Sequence, residues 1–256
     1  MADYDNRIIR GQTAEAGAID AGLRAYMLRV YNYMLLALVV TGFTAFGVYS
    51  MSVAATPAEA VAQLPNHVML TNFGVTLFGS PLKWVLAISP LIVGIYVQAR
   101  LQNMSLGGAQ AGFWIFSGVV GVSLSIIFIL YTSDSIAQVF FITAAAFGGL
   151  SLYGYTTQRD LSAFGSFLIM GAWGVVIAVI VNWFLASPMM MWVISVIGVG
   201  VFAGLTAYDT QLIKGMYYAG DDGTIAGKKA IWGAMALYIS FINMFRFLLY
   251  LMGGRR

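Results

Sequence analysis

Seven stretches of this chain, roughly residues 26–49, 83–103, 111–131, 135–156, 164–186, 190–214 and 230–252, are largely apolar and almost free of charge. Each is about the 20 residues that a helix needs to cross the hydrocarbon core of a bilayer. Seven such runs describe an all-α integral membrane protein with seven transmembrane helices. The composition agrees, because only 9% of the residues are charged against roughly 25% in soluble domains.

Composition also removes several kinds of chemistry. The chain has no Cys and a single His, His67, so it can build neither a disulfide nor a thiolate metal site, nor a zinc site or catalytic triad based on histidine. No cofactor is expected. The net charge of +3 is not a sign of nucleic-acid binding, since the basic residues lie in loops beside the apolar runs. The N-terminus carries Asp3, Asp5, Arg7, Arg10 and Glu15 with no apolar core of a signal peptide. Residues 1–22 therefore read as a cytoplasmic tail, mobile to about Ala18, and residues 23–256 as the seven-helix domain. A short helix, "DAGLRAYMLRVYNYM", leads into the first span. The linkers are short except for 50–82 and 215–229; the former, with Thr56-Pro57 and Pro65-Asn66-His67, reads as an ordered loop outside the bilayer.

The basic residues set an orientation. With the N-terminus in the cytoplasm, that face carries Arg7, Arg10, Arg24, Arg29, Arg100, Arg159, Lys214, Lys228 and Lys229, and the other carries Lys83, Arg255 and Arg256. The asymmetry puts the N-terminus inside and, after seven spans, the C-terminus outside. The terminal Arg255-Arg256 pair opposes this, and a seventh segment that fails to cross is the alternative.

Gly200 and Gly204 on the sixth span and Gly171 and Gly174 on the fifth predict close helix approach. In "YTSDSIAQ", Ser135 and Gln138 form a capping-box pattern, and Asp134 reads as a helix-start residue. "GDDGT", Gly220 to Thr224, lacks the alternating oxygen ligands and final Glu of a calcium loop and reads as a solvated turn.

Two ionisable residues fall within spans: Asp209 in the sixth and Arg246 in the seventh. A charged carboxylate in hydrocarbon costs several kcal/mol unless it is paired, hydrated or protonated. Arg100, near the inner end of the second span, lies at a depth comparable to that of Asp209, so an Arg100–Asp209 contact is geometrically available. Ser240 and Asn243, three residues apart on the seventh span, can each hydrogen-bond across to the sixth. Such contacts are also ordinary structural glue.

At these residues a family resemblance emerges. "FAGLTAYDTQLIK" (202–214), "ALYISFINMFRFLLYLMG" and the stretch from Gly121 to Gly171 resemble the last two and the middle helices of the Bax inhibitor family, in a bacterial version. The resemblance implies a seven-helix fold whose last helix is surrounded by the other six, and a pH-sensitive calcium leak. It also implies an aspartate pair, one on each of the last two helices, that shares a proton, with an arginine latch on the second. Asp209 matches the first aspartate. Ser240 stands where the second belongs, so the two-carboxylate sensor is incomplete; the latch position corresponds to Arg100. Calcium takes six to eight oxygen ligands, and Asp209 with the Ser240 and Asn243 oxygens is a poorer set.

The function expected from this is an inner-membrane cation leak channel, calcium-like, or a regulator of ion homeostasis, with Asp209 as pH sensor and calcium contact and Ser240, Asn243 and Arg100 along the ion path. The alternative is an interaction protein that modulates a membrane-bound AAA protease, or a stress or cell-death response. Membrane lipids, Ca2+ and that protease are the candidate partners. No enzyme is expected: one membrane Asp lacks the second carboxylate of an aspartyl protease. The topology is testable directly. A C-terminal alkaline phosphatase fusion, active only outside the cytoplasm, should be active and a fluorescent-protein fusion at the same position dark; the reverse pattern would exclude seven crossings.

Overall fold

The computed structural model describes residues 2–64 and 67–255, with side chains described from residue 21 onward. Seven long helices carry the chain: α1 (Ala2–Ser52), α2 (Leu82–Arg100), α3 (Leu106–Leu124), α4 (Ser133–Thr156), α5 (Ser162–Leu185), α6 (Pro188–Gly215) and α7 (Gly223–Met252). Each contains a segment long and apolar enough to span a membrane. This is an all-α membrane protein. The expected tail, residues 1–22, lies almost wholly outside the residues whose side chains are described.

Helix starts follow local chemistry. The hydroxyl oxygens of Ser105, Thr132 and Ser187 accept from the backbone N–H three residues on, at 3.1, 3.3 and 3.3 Å. These are N-caps, which satisfy donors that hydrocarbon would leave bare. The cap of α4 is thus Thr132 and not Ser135; the capping-box reading is shifted by one turn. Asp134 sits exposed in the first turn, as expected of a helix-start residue. Asp222 in "GDDGT" caps α7, accepting from Thr224 and Ile225 at 2.8 and 2.7 Å, while Asp221 pairs with Lys229 at 2.6 Å. The loop after α1 carries a short antiparallel ladder and backbone hydrogen bonds. Ala62–Gln63 pairs antiparallel with Met69–Leu70, and Thr71 N–H donates to the Ser52 carbonyl at 3.0 Å.

The far end of α7 is stitched to the start of α4. Thr132 N–H donates to Gly254 O at 3.1 Å, Gly254 N–H donates to Ser135 Oγ at 2.9 Å, and Arg255 lies over the Tyr250 ring at 5.0 Å. A hydrogen bond with the Tyr250 hydroxyl strengthens the hold of Arg255 on its proton. The seventh helix therefore runs the full length of the bundle.

Helix α7 is the most enclosed of the seven. It packs against α1, α3, α4 and α6, while α2 packs mainly on α3 and α5 on α6. Its fully buried side chains include Met235, Leu237, Tyr238 and Met244. Rings fit it to its neighbours: Phe241 lies 5.5 Å from both Phe140 and Phe147 of α4, and Phe247 stacks on Phe202 of α6 at 6.1 Å. Most buried polar groups are paired, the buried Tyr26 hydroxyl of α1 being one that has no hydrogen-bond partner among the described residues. Tyr238 meets Thr41 of α1 at 2.6 Å, and Thr41 in turn donates to the Ser117 carbonyl of α3 at 3.0 Å.

The glycines divide into used and unused. Gly204 faces Leu168 and Gly171 faces Val201, but Gly200 and Gly174 have open space where a Cβ would stand. A close backbone approach joins α4 to α6 at Gly154, where an added Cβ would meet the carbonyl oxygen of Ala207. Neither backbone can retreat without moving a helix. Gly154→Val should therefore lower stability in detergent by about 1–3 kcal/mol. Gly149→Ala, in open space on the same helix, should be neutral or stabilising, by up to about 1 kcal/mol; thermal melts of the two variants compare them directly.

Candidate functional site

Four consecutive residues of α6, Tyr208 to Gln211, organise the bundle at one level. Successive helical residues point about 100° apart, so four in a row address most of the helix circumference. Tyr208 lays its ring against Gly165 of α5, where an added Cβ would clash with it. Asp209 Oδ2 accepts from Ser240 Oγ of α7 at 3.3 Å. Thr210 Oγ1 meets Ser151 Oγ of α4 at 3.0 Å, and Ser151 meets Tyr31 OH of α1 at 2.6 Å. Gln211 reaches the α4–α5 linker, accepting from Leu161 N–H at 2.9 Å and donating to Arg159 O at 2.8 Å.

The direction of the hydroxyl chain follows from proton count. Thr210 donates its one proton to the Thr206 carbonyl at 2.7 Å. It must then accept from Ser151, which must accept from Tyr31. Tyr31→Ser151→Thr210→Thr206 O is a one-way relay of donors that ties α1, α4 and α6 together. One turn further on, Lys214 Nζ donates to Tyr155 O at 2.8 Å and lies 5.0 Å from the Tyr155 ring.

The structure brings together two of the four site residues expected from the sequence. Asp209 and Ser240 meet, and Asp209 is half-buried between α6 and α7. Asn243 does not reach α6; its amide donates to the Ile239 carbonyl of its own helix at 2.9 Å. Arg100 is a correction. It is exposed at the end of α2 and forms no ion pair with Asp209; among the described residues the one salt bridge is Lys229–Asp221. The reason is lateral: α2 packs on α3 and not on α6, so equal depth does not bring the two side chains together. Arg246 is exposed on α7, without a hydrogen-bond or ion-pair partner among the described residues. Among those residues no group of three or more His, Asp or Glu side chains is placed to hold a metal.

Thr210, Gln211, Ser151 and Tyr31 were not singled out from the sequence. Thr210 and Gln211 stand beside Asp209 in the quoted motif, so their one signal was adjacency. Ser151 and Tyr31 had none.

Comparison with known proteins agrees with this architecture. The family described as "Inhibitor of apoptosis-promoting Bax1" matches residues 23–256. The inner membrane protein YbhL of Escherichia coli is 43% identical over 238 residues, covering 92% of this chain and 94% of that protein. Proteins of Caulobacter vibrioides and Rickettsia prowazekii are 41% and 40% identical over the full length of both chains.

The Asp209–Ser240 contact can be weighed against the missing Arg100 contact by double-mutant cycles. Asp209→Asn with Ser240→Ala should be non-additive in thermal stability, by about 0.5 kcal/mol or more. Asp209→Asn with Arg100→Ala should be additive within about 0.3–0.5 kcal/mol.

Proposed function

Because the chain belongs to the Bax inhibitor family, the inhibitors of apoptosis-promoting Bax1, we propose that it is an inner-membrane cation leak or ion-homeostasis protein in which Asp209 is the proton-sensing group. The N-terminus faces the cytoplasm, and the end of the bundle that carries Arg24, Arg100, Arg159 and Lys214 is the inner one. The inner-membrane assignment draws on the name of the Escherichia coli relative and the orientation on the basic residues.

The observation that carries the reading is the Asp209–Ser240 hydrogen bond, a carboxylate of one span held by a hydroxyl of the next within membrane depth. An ionisable group at that depth, without a cationic partner among the described residues, is the kind of residue that marks proton or ion paths. Protonating Asp209 adds a donor and leaves one oxygen as an acceptor. The Ser240 contact then loses its charged acceptor, or reverses so that Asp209 donates to Ser240, and the contact between α6 and α7 changes character. Calcium is cargo in this scheme. Asp209 and Ser240 supply three side-chain oxygens between them, well short of six to eight, which suits a transient contact on a path better than a resident site.

Calcium flux into liposomes containing the purified protein tests this across a pH series. The wild type should respond shallowly, near one proton. Asp209→Asn should be flat in pH, and Ser240→Asp should steepen the response, because two neighbouring carboxylates titrate as a coupled pair. Deleting residues 1–18 should leave the leak intact. Identical titrations in all these variants would remove Asp209 as the sensor and favour the alternative, modulation of a membrane-bound AAA protease through the N-terminal residues.

A further inference from the structure

Helices α1 and α4 both flank α7, and between them lies a cavity of about 660 Å³. It is walled by Leu28, Leu35 and Leu38 of α1 and by Phe147, Gly148 and Leu152 of α4, and Phe241 of α7 forms its back. Leu28, Leu35 and Leu152 on its rims are 53, 56 and 63% exposed, so the cavity opens sideways toward lipid. From Arg24 to Leu38 it follows α1 for about 21 Å at 1.5 Å per residue. That exceeds half of the roughly 30 Å hydrocarbon thickness.

Its polarity is graded along this length. Arg24 stands exposed at the mouth and Tyr155 beside it, with Lys214 over the Tyr155 ring. Next come Tyr31 and Ser151, whose hydrogen-bonding capacity is directed to each other and to Thr210. Beyond them the walls are hydrocarbon and aromatic. A cationic entrance at headgroup level over a long apolar trough matches one ligand shape: a negatively charged head with a single extended chain below it.

We propose that this cavity is a binding site for an anionic glycerophospholipid, with one acyl chain lying between α1 and α4 and the phosphate against Arg24. The lipid comes from the leaflet at the Arg24 end. It is a resident ligand with a headgroup preference, distinct from the lipid that coats the rest of the bundle. Its chain runs along the groove past the Tyr31–Ser151 hydrogen bond and rests on Phe241, the neighbour of Ser240. Occupancy thus bears on the seating of α7 beside Asp209, although the binding itself does not depend on the leak reading.

Native mass spectrometry of the detergent-purified protein with equal amounts of phosphatidylglycerol and phosphatidylethanolamine tests the site. One lipid per chain should be retained, with phosphatidylglycerol favoured about five-fold, the contribution of one basic side chain near an anionic headgroup. Arg24→Gln should bring that ratio toward one while keeping the adduct. Gly148→Leu should reduce the adduct several-fold, because the new side chain grows into the cavity from a position whose Cβ meets nothing within 4 Å. A melting temperature equal to that of wild type identifies the folded variant; Leu152→Trp, at the rim, replaces it should it not fold. Equal retention of the two lipids by wild type, or an undiminished adduct in the folded cavity-filling variant, would overturn the proposal.

Discussion

Hydrocarbon offers no hydrogen bonds, so a polar group carried into the spans is costly unless it finds a partner within the chain. That constraint explains the arrangement of the buried hydroxyls. Thr143 of α4 and Thr206 of α6 return their protons to the carbonyls four residues back, at 2.7 and 2.8 Å. Thr41 goes further: it donates to backbone and receives from Tyr238, and so joins α1, α3 and α7 at one point. Tyr31, Ser151 and Thr210 do the same for α1, α4 and α6. Each junction fixes a rotation of three helices about their own axes, which apolar packing alone would leave adaptable.

Within this frame α6 organises as much as the enclosed α7 does. Its Tyr208-Asp209-Thr210-Gln211 string touches α5, α7, α4 and the α4–α5 linker in turn. Because the contacts radiate from a single helical turn, a displacement of Asp209 cannot stay local. Its neighbours on the chain are anchored to two other helices and a loop.

The spans and their order were legible in the sequence because a 20-residue apolar run is a strong and local signal. The Asp209–Ser240 contact was legible because the spacing on the last two helices matched a known pattern. The Arg100–Asp209 contact was a misreading with a clear origin. Sequence gives depth along the membrane normal, through distance from a helix end, and it does not give the order of helices around the bundle. Arg100 lies on a helix that packs behind α3. The Tyr31–Ser151–Thr210 chain was illegible for a related reason. Its links join residues 120 and 59 positions apart, and hydroxyls that serve their own helix look the same in sequence as those that cross to another. The glycines behaved likewise: Gly204 and Gly171 are used and Gly200 and Gly174 are not, although their spacing is equally suggestive.

The Ser240–Asp209 hydrogen bond is long at 3.3 Å, beyond the 2.5–3.0 Å range of a good O–H···O contact. What holds α7 to α6 is packing: the Phe247 ring over Gly198, the Ile213 side chain against Gly233, and the stack of Phe202 on Phe247. The polar contact and the mechanical contact are therefore different parts of one interface. A second carboxylate at position 240 would face Asp209 across the same gap and make the interface depend on a shared proton. Serine leaves a neutral donor there, whose loss removes one weak bond and disturbs none of the three packing contacts. The chemistry at Asp209 can thus vary while the fold around it stays closed.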